Sequence, residues 1–262
     1  MRLKLRLKSV SGDRFSINYN HPLSSAIYLL LKFGSKEFAS YLHDVGYPSG
    51  GKTYKLFTFA LSFKKFTIEN GLFKLNDPEC YLHISSPLIE EFVKNFLIGT
   101  FERTQFYLSS RDHEIKFSIE QAELIPEPHY RTTMKLKLLS PMVLSKVIES
   151  EAGTKQYYLR PGDTDDINRV LSENLKNKYQ VLTNSVINDG RVEIEWDGEY
   201  LRRKKTVTKK ITINEHNLAR IDVIGIQAPF SITGSPELIR TGYQCGFGEK
   251  NSMGMGMAEV IR

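Results

Sequence analysis

Residues 242–260 read GYQCGFGEKNSMGMGMAEV and contain five glycines. Two Gly-x-Gly triplets, 246–248 and 254–256, lie on either side of the segment 249–253. Glycine loses more conformational freedom on folding than any other residue, so we expect a ligand or another part of the chain to approach this backbone closely. Backbone N–H groups without a nearby Cβ can face an anion, which predicts a phosphate-rich ligand. The expected binding residues are Gly246, Gly248, Lys250, Asn251, Ser252, Gly254 and Gly256.

Two other interpretations of this glycine loop compete with phosphate binding. A glycine-rich turn between the last two elements fits the local composition equally well. A dinucleotide-binding fingerprint does not fit, because Asn251 and Glu259 stand where its third glycine or alanine belongs. The segment 255–261 is also too short for the helix that such a fingerprint begins. The pattern therefore favours nucleic acid over a free nucleotide.

Composition sets broad limits on the protein. The chain has 262 residues, enough for one large or two ordinary domains, and its formal charge of +6 with a pI near 9.1 mildly favours an anionic partner. Cys80 and Cys245 are isolated, which argues against a disulfide framework or a zinc site and fits a reducing cytoplasm. The first ten residues alternate charge and leucine and lack the apolar pattern expected of a signal peptide, and the longest apolar run, 26–31, is far below the ~20 residues of a membrane span. We expect a soluble protein with no membrane partner.

The hydrophobic patterns predict the same order of elements twice. Strands are expected at 2–8, 56–68, 72–75, 81–84, 115–124, 133–139, 192–196, 209–213, 221–233 and 257–261, and helices at 20–34, 36–45, 88–99, 165–181 and 236–240. Each half resembles a split β-α-β unit, with Pro126-Glu127-Pro128 between them. We therefore predict an α+β protein with two tandem ferredoxin-like (RRM-like) domains, residues 1–126 and 127–262, and a cleft between them.

Basic residues outside the glycine loop form two groups. Arg2 and Lys4 alternate with leucines in the first strand, which predicts a basic sheet face that is either a phosphate track or an ordinary solvated surface. Arg202 and Arg203 begin a basic cluster in an expected hairpin of the second half. Such a cluster is most often a solvated tip, but it is also suited to RNA.

The segment Gly46-Tyr47-Pro48-Ser49-Gly50-Gly51-Lys52-Thr53 matches the letters of a phosphate-binding P-loop. A P-loop connects a buried strand to a helix whose N-terminus faces the phosphates. Here a helical pattern precedes the segment and a strand-like pattern follows it. We therefore do not predict a nucleotide triphosphatase.

Taken together, these features resemble a known family. GFGEKNSMGMG, after a short helix of the second ferredoxin-like unit, is similar to the signature loop of the RAMP superfamily, and more narrowly to the CRISPR-associated endoribonucleases that cut the repeat in precursor CRISPR RNA. The N-terminal half resembles the same family in its alternating first strand, in Ala26-Ile27-Tyr28, and in the segments YLHDV at 41–45 and KLFT at 55–58. The resemblance covers essentially the whole chain.

The resemblance implies a tyrosine, histidine and lysine that cleave RNA without metal or cofactor, and these match Tyr28, His43 and Lys55. It implies attack by a 2′-hydroxyl on the adjacent phosphorus, giving a 2′,3′-cyclic phosphate and a 5′-hydroxyl. We assign the 2′-hydroxyl to Tyr28, the leaving-group proton to His43 and the transition-state charge to Lys55. Lys52 competes with Lys55, because the chain carries extra residues between His43 and Leu56. Taken alone, Tyr28 and His43 would be ordinary core and helix-end residues.

The implied partner is CRISPR repeat RNA, both as precursor and as product. Subunits of a CRISPR effector complex and a second copy of the chain are further expected partners. The alternative from another functional class is a non-cleaving RNA-binding RAMP subunit of such a complex. The presence of Tyr28 and His43 favours the enzyme.

Overall fold

The computed structural model describes residues 1–110, 113–150, 153–188, 190–213 and 221–261. Its first half contains ten strands and three α-helices. Two of the helices lie between the second and third strands, and the other lies between the eighth and ninth. The strands are β1 (Arg2–Ser11), β2 (Arg14–Ser16), β3 (Tyr47–Ser49), β4 (Lys52–Tyr54), β5 (Thr58–Phe63), β6 (Phe66–Glu69), β7 (Leu72–Leu75), β8 (Glu79–Ser85), β9 (Gln105–Ser109) and β10 (Glu114–Ile125). The helices are α1 (Asn20–Gly34), α2 (Lys36–Asp44) and α3 (Asn95–Glu102), the last preceded by a π-helical segment, Ile89–Lys94.

The main sheet of the first half has the strand order β5-β8-β1-β10-β9, with every neighbouring pair antiparallel. Without the edge strand β9, this is the order of a ferredoxin-like domain, in which the first strand lies between the third and the fourth. Leu3, Leu5 and Leu7 of β1 point into the core with the apolar faces of α1 and α3. The period-two prediction for the first strand is therefore confirmed.

Local signals in the first half account for its helix and turn boundaries. The Ser35 hydroxyl accepts a hydrogen bond from the N–H of Phe38 and caps α2, as its position before the helical pattern predicts. Asn70 and Gly71 have φ values of 51° and 76° and join β6 to β7, which confirms the predicted hairpin. The strand expected over 56–68 is two strands, β5 and β6, which belong to different sheets.

The segment 46–53, which carries the letters of a P-loop, forms most of the β3–β4 hairpin. Gly50 and Gly51 make its turn with φ values of 55° and 70°. A two-residue turn with positive φ at both positions matches the twist of the paired strands. The letters of the P-loop therefore occur in a hairpin, with no helix N-terminus to face phosphates.

The described part of the second half contains the remaining eight strands and three helices. The strands are β11 (Thr133–Leu138), β12 (Ser145–Ser150), β13 (Gly153–Tyr158), β14 (Val192–Trp196), β15 (Thr208–Ile213), β16 (Ile221–Ile226), β17 (Pro229–Gly234) and β18 (Ala258–Val260). The helices are α4 (Thr164–Thr183), α5 (Gly198–Arg203) and α6 (Pro236–Cys245), and a 3₁₀ turn spans Asn251–Met253. The sheet order β14-β17-β11-β18 is again ferredoxin-like. The α+β prediction with two such domains is confirmed, whereas their boundary after residue 126 stays a prediction.

Three features of the second half differ from the sequence prediction. The strand expected over 221–233 is two strands, β16 and β17, which belong to different sheets. Arg202 and Arg203 lie in the last turn of α5 and not in a hairpin, because Asp197 caps this helix by accepting a hydrogen bond from the N–H of Tyr200. The β12–β13 hairpin was not predicted. Its described strand residues are mostly exposed and polar, so they lack the apolar alternation that marks a half-buried strand.

Arg2 is the exception on the expected basic face of β1, because only 3% of its surface is exposed. Its guanidinium lies 3.8 Å from the ring centroid of Tyr243 and donates a hydrogen bond of 3.0 Å to the Tyr243 carbonyl oxygen. Helix α6 of the second half therefore covers the start of this face. Arg2 connects the two halves and does not present its charge to a ligand, contrary to the prediction.

None of the described helices is both long and apolar enough to cross a membrane.

Candidate functional site

The three residues with predicted catalytic roles come together at the ends of their elements. Tyr28 lies in α1, His43 in the last turn of α2, and Lys55 directly after β4. The ring centroids of Tyr28 and His43 are 5.1 Å apart with the planes nearly perpendicular. Lys55 Nζ donates a hydrogen bond of 2.7 Å to the His43 carbonyl oxygen. A phenol, an imidazole and an ammonium group thus share one surface.

The surroundings of these groups give them different chemistry. Burial raises the pKa of the half-buried Tyr28 phenol well above its ordinary value, so the phenol stays protonated at neutral pH and acts as a hydrogen-bond partner. The His43 ring is exposed, and its Nδ1 lies 2.7 Å from Asp44 Oδ1. Because a carboxylate only accepts hydrogen bonds, Nδ1 carries a proton there and Nε2 is left to exchange one with a ligand.

Asp44 is a member of this cluster that the sequence analysis did not identify. The Asp44 carboxylate contacts His43 and also acts on Lys55. Burial lowers the pKa of Lys55, and the negative charge of Asp44 opposes that shift. Its signal in the sequence is only its position next to His43, in the segment YLHDV. An acidic neighbour that fixes the tautomer of a functional histidine is a recurring arrangement.

The two candidate lysines, Lys52 and Lys55, have different neighbours. Lys55 contacts the backbone of His43, whereas Lys52 Nζ donates a hydrogen bond of 2.7 Å to Glu249 Oε1 of the glycine loop. The second oxygen of Glu249 accepts a hydrogen bond from the hydroxyl of Ser145. Lys52 therefore belongs to the contact between the β3–β4 hairpin and the second half, and Lys55 is the lysine beside His43.

The glycine loop packs on the edge of the first sheet, next to β5. A Cβ at Gly246, whose φ is 91°, would lie 2.9 Å from Thr58 Cβ, and a Cβ at Gly254, with φ of 75°, would lie 2.5 Å from Phe59 Cε2. The Thr58 hydroxyl also donates a hydrogen bond to the Met255 carbonyl oxygen. Another part of the chain therefore makes the close approach that the glycines predict.

The loop amides differ from the prediction that they face an anion. Those of Gly246, Gly254 and Gly256 donate hydrogen bonds to carbonyl oxygens within the chain, at distances of 2.8–2.9 Å. The side chain of Lys250 is the exposed cation of the loop, and Lys250 itself has a left-handed φ of 58°. Side chains, and not the amides of these three glycines, are therefore the groups that this loop offers to a ligand.

One face of helix α1 connects the loop to the cluster of Tyr28, His43 and Lys55. The Asn20 side chain donates a hydrogen bond to the Met253 carbonyl oxygen, and the Ser24 hydroxyl donates one to the Ser252 carbonyl oxygen. Tyr28 follows four residues after Ser24, so the three side chains form one row along the helix. The loop contacts and the phenol are thus held by the same rigid element.

A cleft of about 670 Å³ opens between the β3–β4 hairpin, the β12–β13 hairpin and the glycine loop. Five lysines line it: Lys52, Lys55, Lys146, Lys178 and Lys250. Glu249 is also among the lining residues, and Lys146 forms an ion pair with Asp166. The cleft therefore contains several cations with acidic partners on part of its wall, an arrangement suited to a polyanion.

The other basic residues of the prediction lie away from this cleft. Lys4 is half-buried, with its Nζ 4.4 Å from the ring centroid of Tyr81. Arg202 and Arg203 are exposed on α5 and do not line the cleft. Within the described residues, no group of three or more His, Cys, Asp or Glu side chains could hold a metal ion.

Comparisons with known families match both halves of the chain. The family model described as CRISPR-associated protein Cas6, N-terminal, matches residues 14–123, and that described as CRISPR associated protein Cas6, C-terminal, matches residues 125–260. The chain is 33% identical over 258 residues to a protein of Methanocaldococcus jannaschii named CRISPR-associated endoribonuclease Cas6 1, a match that covers 98% of this chain and 91% of the relative.

Solved structures agree with these family matches. A structure titled "CRISPR associated protein Cas6" superposes with a TM-score of 0.77 at 31% identity, covering 100% of this chain and 99% of the other. A structure titled "An RAMP protein binding different RNA substrates" has a TM-score of 0.80 at 21% identity, with full coverage of both chains, and supports the fold alone.

Proposed function

The chain belongs to the Cas6 family of CRISPR-associated proteins, and we propose that it is an endoribonuclease that cleaves CRISPR repeat RNA. The observation that carries the proposal is the meeting of Tyr28, His43 and Lys55 on one surface, in a chain 33% identical to a protein named an endoribonuclease. A structural subunit that only binds RNA has no need for a phenol beside an imidazole and an ammonium group beside the same histidine.

The proposed step is a transesterification. The 2′-hydroxyl oxygen upstream of the cut attacks the adjacent phosphorus, the bond from phosphorus to the 5′-oxygen breaks, and a 2′,3′-cyclic phosphate forms. The proton of the 2′-hydroxyl passes to solvent water, and the 5′-oxygen takes up a proton. The protein therefore has to orient the nucleophile, protonate the leaving group and stabilise charge on phosphorus.

The surroundings of each side chain support one of these roles. The Tyr28 phenol, protonated because burial raises its pKa, orients the 2′-hydroxyl by a hydrogen bond and does not remove its proton. His43 delivers a proton from Nε2 to the 5′-oxygen while Asp44 holds Nδ1. Lys55, beside His43, stabilises the negative charge that develops on the phosphoryl oxygens. With solvent water accepting the proton of the 2′-hydroxyl, these three roles need no metal ion.

We propose that the RNA enters the cleft lined by lysines and passes the exposed face of the glycine loop. The exposed Lys250 side chain lies along this path and can contact a phosphate, and Asn251 and Ser252 lie beside it. Lys4, Arg202 and Arg203 remain proposed contacts for more distant parts of the RNA. Arg2 is left out of the path because it is buried against Tyr243. Subunits of an effector complex and a second copy of the chain stay predicted partners.

The test is an incubation of the purified protein with its cognate CRISPR repeat RNA in excess chelator. We expect one cut that leaves a 2′,3′-cyclic phosphate in the wild type, and a rate at least ~100-fold lower in His43→Ala, in line with the loss of a general acid. His129→Ala, which removes an exposed histidine outside the site, is the matched control and should cut normally. If the wild type binds the repeat but does not cut it, the endoribonuclease proposal is refuted and the protein is an RNA-binding subunit.

A further inference from the structure

Lys178 is a buried lysine of the second half that lies at the wall of the cleft. It lies on helix α4, where Ile167, Leu171 and Leu175 face the core, and the helical period places its side chain on the same face. Only 1% of its surface is exposed. Burying an ammonium group is costly unless oxygen atoms replace the water that it loses. The contacts of its Nζ therefore indicate why a lysine is present at this position.

Those contacts are with the glycine loop. Lys178 Nζ donates hydrogen bonds of 2.7 Å to the carbonyl oxygens of Gly246 and Gly248 and to the side-chain oxygen of Asn251. The Asn251 amide group in turn donates a hydrogen bond of 2.9 Å to the Met255 carbonyl oxygen. An ammonium group has three N–H donors, so these three acceptors use all of them.

This arrangement connects the two Gly-x-Gly triplets of the loop. Gly246 and Gly248, with φ values of 91° and 79°, present their carbonyl oxygens to the buried ammonium. Through Asn251, the same ammonium is connected to Met255, the middle residue of the second triplet. The polar segment between the triplets, with Lys250 exposed, is thus closed into a ring around one buried cation.

We infer that Lys178 is a positioning residue that fixes the glycine loop in the conformation that binds RNA. It acts through the loop and not on the RNA, because its side chain is buried and all its donors are used within the chain. The inference depends on the proposed function for the consequence that it has for RNA binding. Its consequence for the conformation of the loop does not depend on that function.

The first variant is Lys178→Met, which retains much of the length of the side chain and removes the donors. Lys176→Met is its matched control, since Lys176 lies on the same helix and its Nζ donates a hydrogen bond to the carbonyl oxygen of Asn188 at the surface. Hydrogen exchange of the loop amides is measured in the free proteins. We expect the amides of Gly246 and Gly256, both hydrogen-bonded in the chain, to exchange at least tenfold faster in Lys178→Met and within twofold of the wild type in the control.

The second measurement is binding of repeat RNA carrying a 2′-deoxy nucleotide at the cut, so that no cleavage occurs. We expect the dissociation constant to rise at least tenfold in Lys178→Met and less than twofold in Lys176→Met. A folded Lys178→Met variant with unchanged loop exchange and unchanged RNA affinity would overturn the inference.

Asn251→Ala decides the matter if Lys178→Met does not fold, because it removes one acceptor and leaves the lysine in place. Faster exchange at Gly246 and Gly256 in this variant supports the inference, and unchanged exchange overturns it. If both variants fold, their effects on loop exchange should not multiply in the double variant, since both act on one ring of hydrogen bonds. A wild type that neither binds nor cuts repeat RNA refutes the proposed function, while loop exchange still tests the role of Lys178.

Discussion

Replacing Gly254 by alanine tests whether the glycine loop is shaped by packing against the first domain. A Cβ at this position would lie 2.5 Å from Phe59 Cε2, whereas carbon atoms in contact are about 3.5–4.0 Å apart, so the loop or the ring has to move by about 1 Å. Phe59 is fully buried and stacks on Phe57, which limits how far the ring can yield. In addition, the φ of Gly254 is 75°, a conformation that disfavours any Cβ.

The expected cost of Gly254→Ala has two parts. The left-handed backbone conformation accounts for about 1–2 kcal/mol, and overpacking against Phe59 for about 1–3 kcal/mol. We therefore expect the free energy of unfolding to fall by about 2–5 kcal/mol. Gly71→Ala is the matched control: its φ is 76° and a Cβ there has open space within 4 Å, so only the backbone part applies.

Denaturant unfolding at 25 °C measures both variants against the wild type. The difference between Gly254→Ala and Gly71→Ala isolates the steric contribution, because the two glycines have almost the same φ. Equal losses of stability in the two variants would refute the packing argument and favour the interpretation of the loop as an ordinary glycine-rich turn.

Three further predictions address the site and its surroundings. Lys55→Ala should slow single-turnover cleavage at saturating RNA by about 10²–10³-fold, and Lys52→Ala by only a few-fold, because Lys55 lies beside His43; the reverse order would exchange their roles. Burial lowers the pKa of His83 to about 4, so the unfolded chain binds more protons than the native chain as the pH falls from about 6.5 to about 4. The free energy of unfolding should therefore drop by up to about 3 kcal/mol over this range. His83→Gln should lose that share of the pH dependence, and a profile equal to that of the wild type would contradict the prediction. Lys250→Ala should weaken RNA binding and reduce the slope of log Kd against log salt by about 0.7, whereas an unaltered slope would show that Lys250 contacts no phosphate.

The fold was predictable where a local pattern determines a local structure. The leucines of β1, the cap at Ser35 and the Asn70-Gly71 turn each act within a few residues of themselves. The ferredoxin-like order of both sheets then follows from the order of strands and helices along the chain. The β12–β13 hairpin has no such pattern, since its strands are stabilised mainly by pairing with each other.

The site was predictable only in part, because its contacts join distant parts of the chain. The resemblance to a family predicted Tyr28, His43 and Lys55, and the structure brings these residues together. The surroundings of Arg2 depend on Tyr243, at the other end of the sequence, so alternation in the first strand could not reveal its burial. Lys178 has a weak signal, a lysine at a helical position where the spacing of Leu171 and Leu175 predicts an apolar residue.

The geometry of α1 explains why changes in the glycine loop should reach the chemistry. Ser24 contacts the loop and Tyr28 contacts His43, and residues four apart are separated by about 6 Å along a helix axis. The loop that is proposed to hold the RNA and the phenol that is proposed to orient its 2′-hydroxyl are therefore fixed to successive turns of one helix. A shift of about 1 Å in the loop, as an added Cβ at Gly254 demands, moves a bound phosphate relative to a phenol that stays in place. Because misplacement by 1 Å can cost about 100-fold in rate, we expect Gly254→Ala to slow cleavage of bound RNA while Gly71→Ala leaves it unchanged.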